Sequence, residues 1–135
     1  MIQRIQSLWL LLASACSFLT LKFEFYAGTD TAGQPLHLTA QSNILLTILA
    51  SGIGIASLIT IFLYKQRKLQ VRIACVTFIA SAILITLLFL QLKNFTTGTI
   101  SLWSVFYFAI PALFILALRG IWKDEKLIKS MDKLR

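Results

Sequence analysis

Four long stretches without a charged residue are the feature that most constrains this chain. They occupy residues 5–21, 43–64 and 73–92, and part of 94–118. Crossing about 30 Å of hydrocarbon takes roughly 20 helical residues at about 1.5 Å of rise each. Lipid offers no water to backbone groups, and four segments are too few to close a β-barrel. The sequence therefore predicts an all-α membrane protein, a bundle of four transmembrane helices.

Composition places the chain in the same class. Of its residues, 58% are hydrophobic and only 13% are charged, and the mean hydropathy is +0.82. In a soluble protein the formal net charge of +8 would suggest a nucleic-acid partner. Here the basic residues flank apolar stretches, where they determine orientation in the membrane, so we predict no nucleic-acid binding.

The distribution of Lys and Arg predicts both termini in the cytoplasm. Of the 13 cationic residues, only Lys22 and Lys93 fall on the outer side of a four-span arrangement. We predict a single membrane domain, residues 1–135. Its parts are helices at about 2–21, 43–64, 72–92 and 99–118, an outer loop at 22–42, and a cytoplasmic amphipathic tail at 119–135.

The remaining cations define a predicted docking face on the cytoplasmic side. This face is expected to attract anionic lipid headgroups, and an unidentified protein partner is the other candidate. Its residues are Arg4, Lys65, Arg67, Lys68, Arg72, Arg119, Trp122, Lys123, Lys126, Lys129, Lys133 and Arg135.

The N-terminal stretch has a second interpretation. Arg4, an apolar run and Ala13-Ser14-Ala15-Cys16 also fit a signal peptide, or a lipoprotein signal acylated at Cys16. The apolar run continues past Cys16 to Leu21, which favours a retained helix.

The outer loop contains a period of two. Leu21, Phe23 and Phe25 alternate with Lys22 and Glu24, and a similar alternation follows around His37. We predict a short β-hairpin whose apolar face lies on the helix ends. The alternative is an extension of helix 1 to Tyr26.

No catalytic, metal or cofactor site is predicted. The spans contain no Asp or Glu, which argues against small four-span exporters that use a carboxylate in the membrane. His37 is the only histidine, and Cys16 and Cys75 form no CxxC pair. We therefore expect a protein that is not an enzyme.

Small residues on helix 2 predict close helix packing, and the face left over allows a homo-oligomer. The alternative is a hydroxyl-lined path for a small molecule or an ion. On helix 4, Pro111 predicts a kink. The small residues are Thr47, Ala50, Ser51, Gly52, Gly54, Ala56 and Ser57.

The tail predicts an amphipathic helix. Its apolar stripe comprises Leu127, Ile128, Met131 and Leu134. It either bends at Gly120 and lies on the membrane with Trp122 in the headgroups, or continues helix 4 into solvent.

Both ends of the chain carry a resemblance. MIQRIQSLWLLLA, residues 1–13, and RGIWKDEKLIKSMDKLR, residues 119–135, resemble the two ends of a bacterial family of small four-span membrane proteins described as a domain of unknown function. Trp122 stands where that family usually has a basic residue, and Lys133 where Arg is common. The resemblance implies a bacterial inner-membrane location and no established activity. The function expected from the sequence is a non-enzymatic interaction or scaffold protein, and the alternative is a carrier or channel working as an oligomer.

Overall fold

Four helices and three short strands make up the described part of the protein. The computed structural model describes the backbone of residues 2–134 and the side chains of residues 5–93 and 95–134. The elements in chain order are α1 (Ile2–Leu19), β1 (Glu24–Thr29), β2 (Pro35–Thr39), α2 (Ile44–Phe62), α3 (Arg67–Gln91), β3 (Thr97–Ile100) and α4 (Val105–Lys133). Short 3₁₀ turns, Leu92–Asn94 and Leu102–Ser104, flank β3.

The helices form a ring in which each packs against the next and α4 closes against α1. All three strands lie where α1 connects to α2 and α3 connects to α4, and we call this the sheet end. The opposite end, called the basic end, comprises residues 2–6, 63–72 and 119–134. It therefore contains most of the cations of the chain.

The bundle is apolar on its outside as well as its inside. Leu10 and Phe114 are fully buried between helices, whereas Ile44 and Val76 are 78% and 67% exposed. A helix that is apolar on all sides is typical of a membrane span. Among residues 2–134, three helices are long and apolar enough to cross a membrane, and the apolar part of α1, Ile5–Leu19, is shorter. These three are Ile44–Phe62, Arg67–Gln91 and Leu102–Lys133.

The sheet contains the predicted hairpin and a strand that the sequence did not predict. β1 and β2 pair antiparallel, with Tyr26 opposite Leu38, so the alternative of helix 1 extending to Tyr26 is wrong. The additional strand, β3, pairs with the other edge of β1, and the strand order is β2-β1-β3. Gly28 lies opposite Gly98 in the β1–β3 pair, where the backbones approach closely.

Tyr107 of α4 attaches the sheet to the bundle. Its hydroxyl lies 2.8 Å from the carbonyl oxygen of Thr20 and 2.9 Å from that of Phe23, and it accepts a hydrogen bond from the Ala40 amide at 3.1 Å. The buried Phe25 packs edge-on against the Tyr107 ring at 5.1 Å. The hydrophobic core is therefore continuous from the helices to the sheet.

Two helices extend further than the apolar stretches indicated. α3 begins at Arg67 rather than near residue 72, so Arg67, Lys68 and Arg72 belong to a helix rather than a loop. α4 begins at Val105 rather than 99 and continues without interruption to Lys133. Of the two predictions for the tail, the structure has the continuation of helix 4 and not the bend, because Gly120 lies inside the helix.

α1 and α2 pack closely through small residues. The Ser14 hydroxyl donates to the carbonyl oxygen of Gly54 at 3.1 Å, and the Ser17 hydroxyl donates to that of Ala50. At Gly54 an added Cβ would lie 2.9 Å from the ring of Phe18. These contacts are the small-residue packing and interhelical hydrogen bonds that hold helices together in lipid.

Candidate functional site

A groove at the basic end concentrates positive charge. It has a volume of about 620 Å³ and lies where the α2–α3 turn meets α4. Its lining combines four cations and one carboxylate, and it opens to solvent. The lining residues are Lys65, Gln66, Arg67, Lys68, Leu69, Arg72 and Glu125.

Ion pairs occupy only part of this charge. The guanidinium of Arg67 lies 3.1 Å from the carboxylate of Asp124, with 24% and 15% of the two side chains exposed. Glu125 pairs with the exposed Lys129 at 3.3 Å. Among the described residues, Lys65, Lys68 and Arg72 have no carboxylate within 4.0 Å. These three are the cations that the groove offers to an anion.

Gly120 brings α4 against α1 at the same end. A Cβ added there would lie 2.9 Å from Cγ of the buried Gln6. One turn deeper in α3, Gln70 is buried and its Nε2 donates to the carbonyl oxygen of Thr60 at 3.2 Å. Gly120 is therefore a close-contact position inside α4, and not the bend that was one of the two predictions for the tail.

The buried face of α4 follows an alternating three- and four-residue spacing that does not stop at the bundle. Its buried residues are Tyr107, Ile110, Phe114, Ala117 and Ile121. The same spacing continues through Asp124, Ile128 and Met131, which is the repeat of a helix that packs along one seam. We call residues 126–134 the tip.

At the tip the seam has no cover. The exposed fractions are 39% for Ile128, 68% for Met131 and 88% for Leu134, and Leu127 beside them is 45% exposed. A depression of about 330 Å³ follows one edge of this stripe, lined by Lys123, Lys126, Leu127 and Ser130. The tip therefore presents an apolar stripe with a basic edge.

Comparison with known protein families identifies the family of this chain. The family model described as a domain of unknown function (DUF4293) matches residues 2–134. The chain belongs to the DUF4293 family. The predicted membership in a family of unknown function is thereby confirmed over nearly the whole chain. No curated protein and no solved structure matches it.

In this DUF4293 chain the predicted docking residues separate into two surfaces. Lys65, Arg67, Lys68 and Arg72 line the groove, while Lys123 and Lys126 line the depression beside the tip. The other described members, Arg119, Trp122, Lys129 and Lys133, are exposed along α4. The Arg4 side chain and Arg135 lie outside the described residues.

The small residues of α2 also divide. Ala50, Gly54 and Ser57 are buried, and Thr47, Ser51 and Ala56 are half-buried. Gly52 is exposed, and a Cβ added there would meet nothing within 4 Å. Gly52 makes no close packing contact within the chain, because its face points out of the bundle, and its role in packing against a second copy stays a prediction.

Most hydroxyls of α2 and α3 bond to their own helix. Ser51, Ser57, Thr60, Thr77 and Ser81 each donate to a carbonyl oxygen three or four residues earlier. A hydroxyl has one O–H donor, so a hydroxyl bonded in this way cannot donate to another group at the same time.

The other residues singled out in the sequence lie apart from the groove and the tip. Cys16 and Cys75 are free thiols, and His37 pairs with Glu24 at 3.0 Å on the sheet. No cluster of three metal-binding side chains occurs among the described residues. Pro111 lies inside α4, and its kink remains a prediction.

Three residues of this end were missed from sequence. They are Asp124, which pairs with Arg67, and Gln6 and Gly120, which contact each other. The sequence pattern that could have identified them is a polar residue or a glycine where the helical spacing calls for an apolar one. Asp124, three residues after the buried Ile121, is the clearest case. The partners lie on different helices, so the spacing alone could not identify them.

Proposed function

We propose that the protein is a four-span membrane docking protein of the bacterial inner membrane. The bundle is the anchor, and the tip of α4 binds an acidic amphipathic helix of a partner protein in the cytoplasm. No chemical reaction is part of this proposal. The observation that carries it is the exposed apolar stripe at the tip, which continues the buried seam of α4 beyond the bundle.

The orientation of the chain in the membrane is supported by charge. Lys22 and Lys93 lie near the sheet end, and the other cations among residues 2–134 belong to the basic end. Such a bias favours a cytoplasmic basic end under the positive-inside rule. α1 would be the fourth span, with the polar start of the chain reaching the headgroups.

The length of α4 supports a projecting tip. Its 29 residues correspond to about 43 Å at 1.5 Å per residue, and the hydrocarbon core takes up only about 30 Å. About two turns then extend beyond the hydrocarbon at the basic end. An apolar stripe held in water gains free energy when another helix covers it.

Charge selects the partner. Lys126, Lys129 and Lys133 give the tip an excess of positive charge over Asp132. A second copy would bring like charges together, whereas a partner helix with acidic flanks gains attraction at both edges of the stripe. We therefore propose that the tip binds an acidic helix and does not self-associate.

The carrier alternative has less support. A polar path through the bundle would use the hydroxyls of α2 and α3, and most of these donate to carbonyl oxygens of their own helix. The ion pair of Arg67 and Asp124 lies at the basic end and not in the middle of the bundle.

A peptide pair tests the proposal directly. The full chain is placed in phosphatidylcholine nanodiscs and titrated with a labelled amphipathic helix that carries Leu on its seam and Glu on its flanks. The comparison peptide has the same seam with Lys flanks. We expect binding of the Glu peptide only, and Ile128→Glu should weaken it about thirtyfold, as expected for loss of a roughly 2 kcal/mol anchor.

The control variant is Lys133→Gln, which changes the tip away from the stripe and should weaken binding only a few-fold. Equal binding of both peptides, or no effect of Ile128→Glu, would contradict the proposal. In cells, a photocrosslinker at Met131 should capture an acidic protein only when Ile128 is intact. Capture of a second copy or of lipid would overturn it.

A further inference from the structure

Beside the groove at the basic end, α2 and α3 form an apolar cleft. This cleft has a volume of about 220 Å³ and faces outward from the bundle. Its floor is Gly52, where a Cβ would meet nothing within 4 Å. Ile48, Ala56, Val76 and Ala80 form its walls.

Groove and cleft lie on the same face of α3. Arg72 lines the groove, while Val76 and Ala80 line the cleft. These three residues are spaced by four, which places them one above another on a helix. A molecule with an anionic head and an apolar tail can therefore touch both without passing around a helix.

The head position is set by three cations and a helix end. Lys65, Lys68 and Arg72 have no carboxylate within 4.0 Å among the described residues. Gln66, the N-cap of α3, makes no side-chain capping bond, so the first amides of a 25-residue helix remain open to an acceptor. The dipole of that helix adds positive potential at the same place.

The tail position is set by length. Gly52 precedes Phe62, the end of α2, by about 15 Å of helix at 1.5 Å per residue. This distance is about half of a hydrocarbon core of roughly 30 Å, which is the depth that one acyl chain reaches. A lipid whose phosphate lies in the groove would thus place its chain in the cleft.

We propose that α2 and α3 bind one anionic phospholipid. Lys65, Lys68 and Arg72 hold its phosphate at the start of α3, and one acyl chain lies over Gly52. The inference rests on the membrane insertion described under Proposed function, and it is independent of the tip and its partner.

Native mass spectrometry of the full chain released from mild detergent tests this site. The probes are phosphatidylglycerol, phosphatidylcholine and inorganic phosphate. We expect phosphatidylglycerol to bind at least tenfold more tightly than phosphatidylcholine. Lys68→Ala combined with Arg72→Ala should lower that preference by about tenfold or more, because each cation near anionic lipid contributes up to about 1 kcal/mol.

The matched control removes the same charge from the tip. Lys126→Ala combined with Lys133→Ala should leave phosphatidylglycerol binding unchanged within about twofold. If this pair weakens lipid binding as much as the groove pair does, the site is not in the groove. The lipid site is tested by lipid binding of the groove variants, and the docking proposal is tested by peptide binding at the tip. A failure of one therefore leaves the result of the other unchanged.

The acyl position is tested with Gly52→Leu, which fills the cleft floor where there is space for a side chain. We expect about a fivefold or greater loss of phosphatidylglycerol affinity with unchanged helicity by circular dichroism. If Gly52→Leu lowers helicity, Ala56→Leu replaces it and should give the same loss. The lipid proposal would be overturned if a folded variant lost no affinity, or if millimolar inorganic phosphate displaced the lipid. It would also be overturned if the chain formed a dimer that Gly52→Leu dissociates, because the cleft would then be an interface between two copies.

Discussion

The guanidinium of Arg67, in the first turn of α3, lies 3.1 Å from the carboxylate of Asp124 on α4. Asp124 occupies the seam position that follows Ile121, the last buried residue of α4. The pair therefore joins the groove to the base of the tip.

Replacing Asp124 with Ala should destabilise the basic end. The substitution leaves the guanidinium of Arg67 mostly buried and without its carboxylate, at a cost of about 1–3 kcal/mol. Unfolding in mixed detergent and dodecyl sulfate should measure this loss, and hydrogen exchange should rise in residues 120–130. Arg67→Met combined with Asp124→Leu should recover most of it.

Glu125→Ala is the matched control for this prediction. Its partner Lys129 is exposed, so an ion pair of this kind on a helix surface contributes at most about 0.5 kcal/mol. Equal losses for Asp124→Ala and Glu125→Ala would show that the partly buried pair of Arg67 and Asp124 has no special role.

Gly120 and Gly52 should respond in opposite directions to the same change. Replacing Gly with Ala inside a helix typically gains about 0.5–1 kcal/mol. At Gly52 there is space for the methyl group, so Gly52→Ala should be neutral or stabilising. At Gly120 the Cβ would lie 2.9 Å from Gln6, so Gly120→Ala should lower stability by about 1–2 kcal/mol. A stabilising Gly120→Ala, measured in the same detergent titration, would contradict the close contact.

The four helices were predictable because their apolar length follows from the thickness of a bilayer. Their ends at the basic end were not. An apolar stretch is read as ending at its first charged residue, yet α3 begins at Arg67 and α4 continues through Lys123. A helix needs no apolar side chains outside the hydrocarbon, so hydropathy does not locate these ends. In the sequence, a glycine at position 120 is compatible with a bend. Its contact with the side chain of Gln6 is visible only in the structure, because Gln6 lies on another helix.

Part of the sheet was predictable for a similar local reason. The alternation around Phe25 indicated a hairpin, and the structure contains it. β3 has four residues, and its pairing depends on the free edge of β1, which lies far away in the sequence. Arg67 and Asp124 are also far apart in the sequence, so the charge pattern could not predict their pairing.

Tyr107→Phe should loosen the sheet end. The change removes the hydroxyl that accepts from the Ala40 amide and lies within hydrogen-bonding distance of two carbonyl oxygens. Buried backbone groups left unpaired cost about 1–3 kcal/mol. Hydrogen exchange at Ala40 should increase at least tenfold, whereas Tyr64→Phe, at an exposed position, should have little effect. Unchanged protection at Ala40 would exclude this role for Tyr107.

Gly98→Ala should separate β3 from β1 while the helices stay intact. The added Cβ would lie 2.6 Å from both the Ala27 carbonyl oxygen and the Gly28 Cα, and backbone atoms cannot move aside cheaply. Amide protection in Thr97–Ile100 should fall to that of an unpaired segment. Thr99→Ala is the control, since alanine keeps the strand backbone, and it should retain protection. Retained pairing in Gly98→Ala would contradict the observed register.

Spin labels placed one at a time along residues 122–133 in nanodiscs test most directly whether α4 continues straight into the cytoplasm. Relative access of oxygen and a water-soluble nickel complex reports the depth of each label. We expect water access to rise steadily toward Lys133, by a depth change of about 1.5 Å per residue. Access that instead oscillates about a constant headgroup depth with a period of about 3.6 residues would place the tip flat on the membrane, and it would contradict the docking surface.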